Sequence, residues 1–104
     1  MAQPDSFKDF VLDQLQDMRG VTCRRMFGGY GLYQRDTFFG IVYKGQLYFK
    51  TDEQSRETYR ARGMQFFRPN ARQSLKSYYE VPAEIVEDTE QLGEWAKRAI
   101  EAQS

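Results

Sequence analysis

The chain has 104 residues, 40% hydrophobic and 15% aromatic, with eight Phe and seven Tyr. That is enough apolar material for one core and too little chain for two, so residues 1–104 are expected to form a single domain. Fifteen basic and fifteen acidic residues cancel and the sequence pI is about 6.3, which excludes a global field drawing the chain to nucleic acid or to an anionic membrane.

The first element is a helix. Phe7, Phe10, Val11, Leu15 and Met18 recur at helical spacing, with Lys8, Asp9, Asp13, Gln16 and Asp17 on the other face. Ser6 can cap it with Asp9 three residues on, and Gly20 suits the position just past its end. From Val21 the period becomes two, with Val21, Cys23 and Arg25 on one side, a first strand running into Gly28, Gly29 and Gly31. A second strand follows over 31–34. Arg35-Asp36 turns it into a third over 37–43, and Lys44-Gly45 turns that into a fourth over 46–50. In the fourth, Leu47 and Phe49 share one face, and Gln46, Tyr48 and Lys50 the other.

Thr51-Asp52-Glu53-Gln54 opens a second helix that ends near Arg62, closed by Gly63. Residues 64–68 and 74–81 read as two more strands around the loop Pro69-Asn70-Ala71-Arg72, and Pro82 stops the second of them. After a short helical turn over 84–87, Asp88 can cap a final helix with Leu92, Trp95, Ala96, Ala99 and Ile100 inward. The order α-β-β-β-(β)-α-β-β-α implies an α+β fold: helices packed on one face of a largely antiparallel sheet.

Chemistry is sparse. With no histidine and a single cysteine, Cys23, the chain lacks the usual neutral-pH base and the commonest metal ligand. No disulfide framework is possible, and the usage suits a reducing compartment. A buried, inert thiol is the expectation for Cys23, because no imidazole activates it. Gly29-Tyr30-Gly31 lacks the third glycine and the following helix of a dinucleotide fingerprint, so these glycines are expected to bend and crowd the main chain. Asp52 and Glu53 are explained by a helix start, the later acids by a solvated surface. No metal, cofactor or catalytic residues are expected. Neither a signal peptide nor a run of about 18 apolar residues is visible, so a cytoplasmic protein is expected.

Charge is uneven along the chain. Residues 54–79 carry Arg56, Arg60, Arg62, Arg68, Arg72 and Lys76 against Glu57, whereas residues 80–104 carry seven acids against Lys97 and Arg98. The halves can pair with each other, or the basic one can face a partner. Arg56, Arg60, Arg68, Arg72 and Lys76, interleaved with Phe66, Phe67, Tyr78 and Tyr79, form a candidate surface for a partner or for nucleic acid.

The run Arg24-Arg25-Met26-Phe27-Gly28-Gly29-Tyr30-Gly31-Leu32-Tyr33 is followed by Phe38-Phe39 and by Leu47-Tyr48-Phe49-Lys50-Thr51-Asp52. With Tyr79-Glu80-Val81-Pro82 before a Trp-containing helix, it resembles the N-terminal domain of the TfoX/Sxy family, which includes bacterial competence regulators. The resemblance spans nearly the whole chain. It implies a non-enzymatic regulatory module in the bacterial cytoplasm, acting through protein contacts in transcriptional regulation. It also implies structural roles for Arg24, Arg25, Met26, Phe27, Gly28, Gly29 and Gly31. Competence regulators of the family are thought to act with the cyclic-AMP receptor protein. Full-length members carry a second, helical domain; these 104 residues end before one, and the expectation is a domain that keeps partner binding alone.

Overall fold

A computed structural model describes residues 4–26, 28–70, 72 and 74–103. The chain begins with α1 (Pro4–Gln14) and continues through a four-strand meander: β1 (Val21–Met26), β2 (Gly29–Gln34), β3 (Thr37–Tyr43) and β4 (Gln46–Lys50). Then come α2 (Glu53–Ala61), β5 (Phe66–Phe67), β6 (Leu75–Glu80), α3 (Ala83–Val86) and α4 (Thr89–Gln103). All six strands form one antiparallel sheet in the order β1-β2-β3-β4-β6-β5. The expected α+β class holds, with β6 inserted between β4 and the short outer strand β5.

Two details of α1 differ from the sequence reading. Ser6 lies inside the helix and is not its cap, since the helix begins at Pro4, where a missing N–H costs nothing. The helix ends at Gln14, and Met18 packs on the core from the turn that follows. In α2 the cap is a reciprocal pair: Ser55 N donates to Asp52 Oδ1 at 2.8 Å, and Asp52 N donates to Ser55 Oγ at 3.0 Å. Asp52 also takes Arg98 of α4 at 2.9 Å, which ties the two helices together. At the start of α4, Asp88 Oδ1 accepts from Gln91 N at 3.0 Å, as expected of its cap.

The main core lies between the helices and one sheet face. Val11 and Leu15, Tyr59, Ile85 and Val86, and Leu92, Ala96 and Ala99 meet Leu32, Phe39, Val42, Leu47, Phe49 and Tyr79. A register shift at Leu32/Tyr33 places Gly40 opposite Leu32 and Phe38 opposite Tyr33, leaving Phe39 as the extra residue of a bulge. Across that bulge, Phe39 and Val42 enter the main core while Phe38 and Ile41 turn to the opposite face. There Ile41, Tyr48, Phe67 and Tyr78 build a second cluster, flanked by Phe38, Tyr43 and Leu75. None of its members comes from a helix. Phe67 closes it, its ring 4.9 Å from Tyr48 and 5.3 Å from Tyr43.

Candidate functional site

The glycine-rich stretch is a hairpin. Gly28 has φ +79° in the turn between β1 and β2, a conformation that L side chains rarely adopt. Gly29 lies against β3 so closely that an added Cβ would run into the carbonyl oxygen of Val42. At Gly31 an added Cβ would come within 2.7 Å of Met26 Sδ and 3.0 Å of the Phe38 ring. The turn leads into β2, so it is not followed by a helix N-terminus as a phosphate-binding glycine loop would be. Arg24 and Arg25 lean over β2, their guanidinium carbons 4.9 Å from the Tyr33 ring centre and 5.9 Å from that of Tyr30. Phe27 lies outside the described residues. Cys23 is half-buried at the border of the main core, not fully enclosed.

The basic segment divides. Arg60 and Arg68 come together at a cleft of about 300 Å³ that Met64, Gln65, Phe66 and Tyr79 also line. Arg60 Nε donates to the Tyr79 hydroxyl at 3.4 Å, and the Arg68 guanidinium lies 5.4 Å from the Phe66 ring centre. Arg56 turns back to the start of its own helix, donating from Nε to Thr51 Oγ1 at 3.1 Å. Arg72 and Lys76 are exposed outside that cleft. Among the described residues, Arg62 with Glu84 at 3.1 Å is the ion pair joining the basic and acidic halves of the sequence; the other cations of the basic half are not neutralised by the acidic one.

A second cleft, about 270 Å³, runs between α1, β4 and α3, walled by Phe7, Phe10, Leu47, Val81 and Val86, with Glu80 and Glu87 among its polar lining. Phe10, placed inward by the sequence reading, is 41% exposed, its ring stacked 6.5 Å from Phe7. The sequence did hold a signal for this. At 3.6 residues per turn Phe10 sits about 140° from Leu15, too far round to share its burial. A third cleft of about 260 Å³ lies between α2 and α4, lined by Gln54, Thr58, Trp95 and Arg98 with Lys50. Burial pushes the Tyr59 hydroxyl well above the usual tyrosine range beside it. Among the described residues, no group of three or more His, Cys, Asp or Glu side chains could hold a metal ion, and no helix is long and apolar enough to cross a membrane.

An open antiparallel sheet with helices on one face and a glycine hairpin at its edge defines the class: a small α+β domain whose distinctive features are surfaces. The family model of the TfoX N-terminal domain matches residues 13–103, and the chain belongs to that family. No curated protein matches it significantly.

Proposed function

We propose that this domain is a non-catalytic regulatory module of the bacterial cytoplasm that works through protein–protein contacts in transcriptional regulation. Its partner is a regulator or a component of the transcription machinery. The family match carries the regulatory part of this reading. The cleft of α1 supports the contact part, because Phe10 is the exposed large hydrophobic side chain among the described residues and stands over an apolar floor. An aromatic anchor over a preformed pocket is the usual centre of a protein interface. Glu80 and Glu87 in the lining favour a partner segment with apolar anchors and basic flanks. Affinity capture from nuclease-treated native lysate tests the reading: a stoichiometric protein partner is expected, and repeated failure to recover one contradicts it.

A second reading draws on Arg60 and Arg68, gathered around Phe66 and Tyr79: weak nucleic-acid binding by the basic segment that also holds Arg56, Arg72 and Lys76. Each phosphate contact on duplex DNA steepens the salt dependence by about 0.9. Affinity indifferent to salt, or surviving loss of all five side chains, removes it.

A further inference from the structure

Strand β1 ends the sheet, and among the described residues no strand pairs with its outer edge. Arg35 N donates to Gly20 O at 2.8 Å just beyond the Val21–Gln34 pair. In an antiparallel ladder this makes Val21–Gln34, Cys23–Leu32 and Arg25–Tyr30 the non-hydrogen-bonded pairs. The amides and carbonyls of Val21, Cys23 and Arg25 therefore point away from β2, and no other described strand pairs with them. The opposite edge of the sheet is only the two-residue β5, interrupted by a register shift. Short or irregular edges are self-protecting, whereas a regular six-residue edge is a template for another strand.

Charged side chains often shield such an edge by standing over it. Here Arg24 and Arg25 lean inward onto the rings of β2, and as neighbours in a strand they lie on opposite faces of the sheet. They flank the edge without covering it. Lys8 adds a third cation 5.3 Å from the Tyr30 ring centre, itself paired with Asp9 at 2.8 Å. Strand β1 contains no acid.

We propose that the β1 edge accepts an extended acidic segment of a partner protein as an added strand. Two consecutive carboxylates of that segment meet Arg24 and Arg25, and apolar side chains meet Val21 and Cys23. Main-chain hydrogen bonds supply the affinity and the alternating side chains the choice of partner. A second copy of this chain fits worse, because pairing β1 with itself gathers four guanidinium groups at one seam with no carboxylate on either strand. The proposal rests on the reading of this domain as a protein-contact module and names the chemistry of one partner segment, on a surface separate from the Phe10 cleft.

The test uses the full chain and two labelled peptides, Gly-Glu-Glu-Val-Thr-Val-Gly and its counterpart with Lys-Lys in place of Glu-Glu. The acidic peptide is expected to bind about tenfold more tightly, and less so as salt rises. The double variant Arg24→Glu, Arg25→Glu should reverse that preference; should it fail to fold, Arg24→Gln with Arg25→Gln should abolish it. Hydrogen exchange should slow at the amides of Val21, Cys23 and Arg25 on binding, and not at Thr22 or Arg24, which already face β2. Absence of binding at millimolar peptide, protection elsewhere, or a concentration-dependent dimer protecting the same three amides overturns the proposal. Loss of peptide binding with Phe10-dependent partner capture intact would leave the functional reading standing.

Discussion

Gly29 and Gly31 stand on the same strand, yet a methyl group meets different obstacles at each. Beside Gly31 the obstacles are the flexible end of Met26 and one edge of the Phe38 ring; beside Gly29 it is the main chain of β3 at Val42. Side chains give way where a paired strand cannot. Gly31→Ala is therefore expected to cost about 1–3 kcal/mol, as overpacking usually does, and Gly29→Ala distinctly more, read by denaturant titration. Equal costs would mean that β2 and β3 are less closely apposed than described. The bending and crowding role of these glycines was legible because the residues after them alternate as a strand. Their division of labour was not: the turn at Gly28 and the close approach at Gly29 depend on β3, whose position no local pattern records.

The elements differ in how far their own residues dictate them. Helix α2 and the turn at Lys44-Gly45 were legible because capping and positive φ are local demands, met by Asp52 with Ser55 and by φ of 48° and 77° in the turn. Strand β5 was not. The stretch 64–68 reads as a longer strand, but pairing is confined to Phe66–Phe67, because Phe67 is turned onto the second cluster and breaks register. That cluster was only half-visible: Tyr48 was correctly set opposite Leu47 and Phe49, but its partners come from three other strands. Phe67→Ala should cost about 3–5 kcal/mol, with the amides of 66–80 losing protection first in native-state exchange. A cost under about 1 kcal/mol would show that the second cluster is not a core.

Two of the helix caps also set an acid limit. The Ser55 backbone amide first, then the Ser55 hydroxyl and Arg98, hold the Asp52 carboxyl below the usual carboxylate range. The backbone amide of Gln91 does the same for Asp88. A carboxyl whose pKa is lower folded than unfolded stabilises above its unfolded value, about 4, and loses that contribution as pH falls through the folded value. Thermal midpoints should decline below about pH 4. In the double variant Asp52→Asn, Asp88→Asn, which retains capping oxygens, the decline should be shallower; an unchanged slope would assign it to other groups.

Across the whole molecule, charge separates by layer. The strands and their connections, 21–50 and 64–81, hold eight basic residues against two acidic, while residues 6–20 and 82–103 hold nine acidic against four basic. The imbalance noted along the chain becomes a difference between the sheet and the segments of α1, α3 and α4, while residues 51–63 around α2 hold three charges of each sign and Arg62–Glu84 links α2 to α3. Such a molecule has zero net charge and still presents two unlike surfaces: acidic around the Phe10 cleft, basic at the β1 edge. The element order and layer arrangement were legible from periodicity and breakers. The strand order was not, because placing β6 beside β4 rests on contacts across the intervening α2 and β5.

The proposed function places its protein contact at the Phe10 cleft of α1. Hydrogen exchange on the partner complex recovered from nuclease-treated lysate, compared for the native chain and Phe10→Asp, tests it most directly. Protection over 7–11 and 80–87 is expected in the native complex, with loss of the partner from Phe10→Asp while the free variant keeps its fold. Protection confined to the cleft between α2 and α4 by a small molecule, or partner recovery indifferent to Phe10, would contradict it.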